Sequence, residues 1–330
     1  MKNERMKNRL RRFLCKGACR VLPIICLCLC ATGRGWSQET YRFAQRDTMA
    51  LYLDIFRPDS GSVTTLDGVA KPAVMFVFGG GFVSGKRSDG TARRWFARLT
   101  AEGYTVVAID YRLGMKGYRM GKGLLGANKA LDRFLYSQQI GVEDVFSAVS
   151  FLAAHPELSV PVDNLVVSGS SAGAIISLAS AHAIDQGRLE GLPEGFAFKG
   201  VMSFAGGIIG KHGAPKFSQA TCPILLLHGT ADKMVAYKHF GLMRRGIWGS
   251  DHIASELEKK GCNYSIWRFE GLGHDVAAYM DVAWELEKTF LERNVIQGIP
   301  CQVDALVDDP SLPTWKAWGR ARTADLYQNP

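Results

Sequence analysis

Four short stretches of this chain, beginning at Ala73, Thr105, Leu165 and Ile224, are almost entirely apolar, and longer stretches of helical periodicity lie between them. A strand that is apolar on both faces has to be covered on both faces, as in a parallel sheet with helices packed above and below it. Further strands are expected at Gly200 to Phe204 and Tyr264 to Phe269. Helices are expected over Ala92 to Ala101, Val142 to Ala154, Ala172 to Ile184, Tyr237 to Lys260 in broken form, and Val276 to Glu292. Leu51, Leu53 and Ile55 alternate with Tyr52, Asp54 and Phe56. That period of two predicts an antiparallel strand near a sheet edge, paired with Tyr41 to Gln45. No internal repeat or low-complexity linker interrupts the pattern.

The first 37 residues read differently. Lys2, Arg5, Lys7, Arg9, Arg11, Arg12, Lys16 and Arg20 precede an apolar run from Val21 to Ala31, and small residues stand around Gly35-Trp36-Ser37. This is the layout of a signal peptide with cleavage before Gln38; the apolar run is too short for a stable membrane span. A lipid anchor on Cys26, Cys28 or Cys30 is the alternative, weakened by the bulky Leu29 before Cys30. Nine of the 40 Lys and Arg but one of the 31 Asp and Glu fall in this leader, so the remainder carries a net charge of only +1. The basic balance of the whole chain is therefore a targeting feature and gives no reason to expect a nucleic-acid partner. Five of the eight cysteines leave with the leader; Cys222, Cys262 and Cys301 remain without metal-site spacing. The mature chain, about 290 residues, suffices for one large α/β domain over residues 38–299, followed by a tail over 300–330 that packs Trp315 and Trp318. Within the domain, the glycine-rich stretch 114–129, with Lys116, Arg119 and Lys122, is expected as a lid, a substrate-binding loop or a surface insertion.

The chemistry-bearing residue types stand at the carboxyl ends of the expected strands. Ser171 lies in Gly169-Ser170-Ser171-Ala172-Gly173 directly after the apolar run Leu165-Val166-Val167. A G-x-S-x-G turn between strand and helix lifts the serine hydroxyl out of the backbone, and a side chain at either glycine would collide with the neighbouring strand or helix. A serine hydroxyl is a weak nucleophile near neutral pH, so it needs a base and a group to orient that base. His274, in Gly273-His274-Asp275 beyond the Tyr264 strand, is the preferred base among seven histidines; His155, His182, His239 and His252 are expected in or beside helices, and His228 in a structural role. Asp232, in His228-Gly229-Thr230-Ala231-Asp232 beyond the Ile224 strand, is the preferred acid over Asp251, Glu270 and Asp275. Phe78-Gly79-Gly80-Gly81-Phe82 follows the Ala73 strand, where consecutive glycines let the amides of Gly80 and Gly81, with that of Ala172, face a developing oxyanion. The chain order Ser, Asp, His is that of the α/β-hydrolase fold, so the expected architecture is a mostly parallel eight-stranded sheet with helices on both faces.

Together, Phe78-Gly79-Gly80-Gly81, the Ser171 pentapeptide, His228 to Asp232, Gly273-His274 and the segment Asp110-Tyr111-Arg112-Leu113 resemble the hormone-sensitive-lipase-like and bacterial acetyl-esterase branch of the α/β hydrolases, over roughly residues 45–295. The branch usually begins its glycine run with His. Phe78 stands there instead, so this loop must be held differently, although backbone donors survive the change. The resemblance implies a carboxylesterase-type serine hydrolase working through an acyl-enzyme on short acyl groups, without metal or organic cofactor. Combined with export, it points to a periplasmic or secreted enzyme with small-molecule or carbohydrate esters, acetyl or feruloyl, as substrates. A serine peptidase of prolyl-oligopeptidase type is the alternative within the fold, set back by the lack of room for a second large domain. A silent binding protein on a hydrolase scaffold is the alternative from another class. No long apolar lid of the kind expected for a lipase on lipid droplets is seen.

Overall fold

The computed structural model describes residues 38–314 except 48 and 243. The expected leader over 1–37 and the tail aromatics Trp315 and Trp318 lie outside the described residues. In chain order the strands are β1 (Gln38–Arg46), β2 (Met49–Phe56), the short pair β3 (Thr65–Leu66) and β4 (Val69–Ala70), β5 (Ala73–Val77), β6 (Val106–Ile109), β7 (Leu165–Ser170), β8 (Gly200–Phe204), β9 (Gly207–Gly210), β10 (Ile224–Gly229), β11 (His239–Leu242), β12 (Arg245–Gly249), β13 (Tyr264–Phe269) and β14 (Gln302–Val307). The α-helices are α1 (Gly90–Ala101), α2 (Gly123–Ala154), α3 (Ala172–Asp185), α4 (Ser250–Lys260) and α5 (Trp284–Thr289).

The main sheet has nine strands in the order β1-β2-β6-β5-β7-β8-β10-β13-β14. From β6 to β14 every neighbouring pair is parallel, while β2 runs antiparallel to both β1 and β6. All residues of β5, β6, β7, β8 and β10 are buried, which is why their sequences show no alternation. On one face, Trp95 and Phe96 of α1 pack edge-to-face on Phe76, with ring centroids 5.6 and 5.3 Å away, and Trp95 continues the contact to Phe204 of β8 at 6.1 Å. Asp89 caps α1 by accepting a 2.9 Å hydrogen bond from the Ala92 amide.

Four local expectations change. The sheet gains a ninth strand because β14 pairs in register with β13, from Tyr264 opposite Gln302 to Phe269 opposite Val307, so a domain boundary at 299 would cut the sheet. Val303, Ala305 and Val307 alternate with exposed Gln302, Asp304 and Leu306, an edge-strand pattern overshadowed in sequence by the aromatics and prolines that follow. Between Tyr237 and α4 the chain forms the hairpin β11–β12, whose second strand pairs with β9; His239 is thus a strand residue. Helix α2 begins at Gly123 rather than Val142, its Leu131, Phe134 and Leu135 half-buried against the core, and stretch 114–129 divides into turns over 114–121 and the first turns of this helix. Finally, 276–292 is not one helix: a 3-10 turn (His274–Ala278) precedes α5, which passes into a π turn (Phe290–Ile296).

Candidate active site

The carboxyl ends of β5, β6, β7, β10 and β13 deliver the residues of interest to one edge of the sheet, because parallel strands all end at the same side. Ser171 is the turn residue between β7 and α3, with φ 52° and ψ −117°, a strained conformation for a residue with a side chain. Its amide donates to the Phe204 carbonyl at 2.9 Å and its carbonyl accepts the Ile175 amide at 3.0 Å. The flanking glycines have steric causes. A Cβ on Gly169 would lie 2.4 Å from the Gly173 carbonyl carbon, and one on Gly173 would lie 2.0 Å from the Val77 oxygen and 2.5 Å from the Phe78 oxygen. The elbow is therefore pressed directly against the end of β5, where the glycine run begins.

The Ser171 hydroxyl is 2.7 Å from His274 Nε2, and His274 Nδ1 is 2.6 Å from Asp232 Oδ2. All three residues are buried, with 4–7% of their surface exposed, so these polar contacts form in a poorly solvated setting where they are strong. Of the four carboxylates considered from sequence, Asp232 is the one on His274 Nδ1. Asp251 pairs with Arg268, Glu270 accepts a hydrogen bond from Thr230, and Asp275 accepts one from the Gly273 amide. Asp232 Oδ1 accepts the amides of Met234 and Val235 at 2.8 and 3.1 Å. Burial would push the Asp232 carboxyl upward, but hydrogen bonds and attraction from His228 and then His274 outweigh it and hold the pKa well below the usual carboxylate range.

The glycine run reverses the chain after β5. Gly80 and Gly81 have φ of +116° and +63°, and a Cβ on Gly80 would lie 2.1 Å from the Ser84 carbonyl oxygen. The next residue, Phe82, holds φ +61° despite its bulk, kept there by burial, by the Met115 amide donating to its carbonyl at 3.0 Å, and by ring contacts with Tyr111 and Phe134. Ala172 is the first residue of α3, so its amide belongs to the helix end whose N–H groups have no intrahelical acceptor. Gly80, Gly81 and Ala172 thus converge on the same sheet edge as Ser171.

Two features lay beyond the sequence reading. Where the resembling branch carries His, the Phe78 ring stacks on Tyr111 at 4.4 Å, and the Tyr111 hydroxyl donates to the Phe78 carbonyl at 3.0 Å. The flanking residues of that segment anchor it on either side: Asp110 pairs with Arg87 at 2.9 Å, and Arg112 with the buried Asp144 at 2.9 Å. His228 is likewise more than a strand-end filler, since its Nε2 lies 3.2 Å from Asp232 Oδ2. A histidine four residues before an acid is the one sequence signal that could have raised it. Among the described residues no cluster of three or more His, Cys, Asp or Glu is placed to hold a metal ion, no helix is long and apolar enough to cross a membrane, and Cys222, Cys262 and Cys301 are free thiols.

Comparison with known proteins bears on the fold. Esterase 2 of Thermogutta terrifontis superposes with a TM-score of 0.55 at 21% identity, covering 78% of this chain and 93% of that one, and its butyrate-bound form gives 0.55 at 20%. The chain has the α/β-hydrolase fold. In this fold, the edge that carries Ser171, Asp232 and His274 is the edge on which ligands of open α/β sheets bind. No family model matches. Secreted lipase 1 of Botryotinia fuckeliana is 28% identical over 175 residues, 52% of this chain and 27% of that protein. Acyl-protein thioesterase 1 of Yarrowia lipolytica is 26% identical over 168 residues, 51% of this chain and 65% of that protein. The chain thus spans less than two thirds of the length of either curated relative.

Proposed function

We propose that this α/β hydrolase is a serine carboxylic-ester hydrolase that works through an acyl-enzyme on short-chain acyl esters. The observation that carries the reading is the continuous hydrogen-bonded chain from Ser171 Oγ to His274 to Asp232, at 2.7 and 2.6 Å. Asp232 accepts from Nδ1 and so leaves the Nε2 lone pair facing the serine hydroxyl. As Ser171 Oγ attacks the ester carbonyl carbon, its proton passes to His274 Nε2, and the amides of Gly80, Gly81 and Ala172 hold the oxyanion of the tetrahedral intermediate. Collapse breaks the bond to the alcohol, which leaves with the proton from His274. A water then repeats the sequence on the acyl-serine, its proton going to His274 and the carboxylate leaving as Ser171 is restored.

A short acyl chain is favoured by the resemblance at the glycine run and by the Thermogutta esterase having propionate- and butyrate-bound forms. Met120, Leu124 and Leu125, exposed in the segment beyond β6, are apolar surface available to the acyl or aryl part of a substrate. The signal-like residues 1–37 support a periplasmic or secreted location, where acetyl and feruloyl esters of carbohydrate would be targets. The partner is thus a small-molecule or carbohydrate ester, with no nucleic acid and no cofactor.

The test is hydrolysis of p-nitrophenyl acetate by residues 38–330 and by Ser171→Ala, followed by a series of longer acyl chains and by acetylated and feruloylated oligosaccharides. Activity that falls by about 1000-fold or more in the variant is expected. Equal rates in the two proteins, or no hydrolysis by either folded protein, refute the reading.

A further inference from the structure

The carboxylate that orients His274 is shared with a second imidazole. His228, at the end of β10, is fully buried, and its Nε2 lies 3.2 Å from Asp232 Oδ2 and 3.2 Å from the Val235 carbonyl oxygen. An ionised carboxylate and a carbonyl are both acceptors only, so Nε2 must carry the hydrogen. On the other side of the ring, Nδ1 lies 2.8 Å from Ser250 Oγ, at the start of α4, so with the hydrogen on Nε2 the serine hydroxyl donates to Nδ1. That hydroxyl also lies 3.4 Å from the Gly206 carbonyl, a longer alternative acceptor. Tyr237 closes the pocket with its ring edge-on to His228 at 5.5 Å.

We infer that His228 is a positioning residue for the proposed hydrolysis: by donating to the same oxygen that His274 uses, it fixes the Asp232 carboxylate and withdraws part of its charge from His274. The inference rests on the esterase reading. Asp232 receives four donors, the amides of Met234 and Val235 on Oδ1 and the two imidazoles on Oδ2. Deleting the His228 donor concentrates negative charge on the oxygen facing His274 and makes protonated His274 easier to form. Among the described residues, the other charged and titratable groups around the pair include Asp275 next to His274, Tyr237, and Arg268 of β13, which binds both the Tyr237 hydroxyl and Asp251 of α4. None of them is among the four donors to Asp232.

The experiment is the pH profile of kcat/KM for p-nitrophenyl acetate in the unmodified protein, His228→Phe and His228→Gln. Phe keeps ring volume without a donor, whereas the Gln side-chain amide can present an N–H near the position of imidazole Nε2. In His228→Phe the acid limb is expected to move up by about 0.5 to 1 pH unit, with the loss in kcat rather than KM, while His228→Gln returns the limb toward that of the unmodified protein. Overlaid acid limbs in all three proteins, or a Gln variant displaced as far as Phe, overturn the inference while leaving the esterase reading intact. An unmodified protein without hydrolysis fails the esterase reading instead. Should His228→Phe not fold, His228→Leu removes the same donor, and an acid limb unmoved from that of the unmodified protein overturns the inference.

Discussion

Gly173→Ala sets two physical terms against each other. Gly173 is the second residue of α3, and Ala in place of Gly in a helix is favoured by up to about 1 kcal/mol. The added methyl would lie 2.0 Å from the Val77 carbonyl oxygen and 2.5 Å from that of Phe78. Both obstacles are backbone, and no side-chain rotation relieves them. Restoring ordinary contact requires about 1 Å of relative movement between α3 and the end of β5, and overpacking of this kind costs typically 1–3 kcal/mol. With both contacts to backbone the upper part of that range applies, so the net loss is about 2 kcal/mol, or about 4 °C in Tm for a domain of this size. The same movement carries Gly80 and Gly81 away from Ser171 and Ala172, and a misplacement of about 1 Å costs on the order of 100-fold in rate. Thermal unfolding and kcat/KM for p-nitrophenyl acetate on one preparation measure both. A variant as stable and active as the unmodified protein would refute the steric account of the elbow.

Two further substitutions test the supports around the site. Tyr111→Phe removes the hydroxyl that donates to the Phe78 carbonyl at 3.0 Å but keeps the stacked ring; a stability loss of about 1 kcal/mol in chemical denaturation and a several-fold fall in kcat are expected, and unchanged values in both would remove Tyr111 from the loop's support. Glu287, buried in α5, takes one hydrogen bond from Trp95 Nε1 at 2.5 Å, while its other oxygen has no hydrogen-bond partner among the described residues. Burial, opposed by the Trp95 hydrogen bond and by Arg98 and reinforced by Asp281, pushes its carboxyl well above the usual range. A group whose pKa is raised on folding stabilises fully below its unfolded value and loses that stabilisation as pH rises through the folded value. Glu287→Gln should therefore gain Tm over the unmodified protein as pH rises from about 4.5, with little difference below it; a pH-independent difference would contradict the buried, neutral carboxyl.

Composition and spacing determined much of this molecule. Runs such as Ala73 to Phe78 and Leu165 to Val167 are apolar on both sides, and only a strand covered on both faces satisfies that, so the parallel centre of the sheet was legible. Gly169, Ser171, Gly173, Asp232 and His274 were legible for a related reason: the elbow and the strand-end loops impose local steric and chemical demands that few residue types meet. Tertiary structure decided what depends on partners remote in the chain. Gln302 to Val307 becomes a strand because β13 offers it an open edge, and His239 to Gly249 becomes a hairpin because β9 pairs with it. Helix α2 extends forward because Leu131, Phe134 and Leu135 find a core to cover. The sharing of Asp232 by His228 and His274 belongs to the same class. His228 stands four residues from that carboxylate and His274 forty-two, and only the parallel pairing of β10 with β13 brings the second imidazole to the same oxygen.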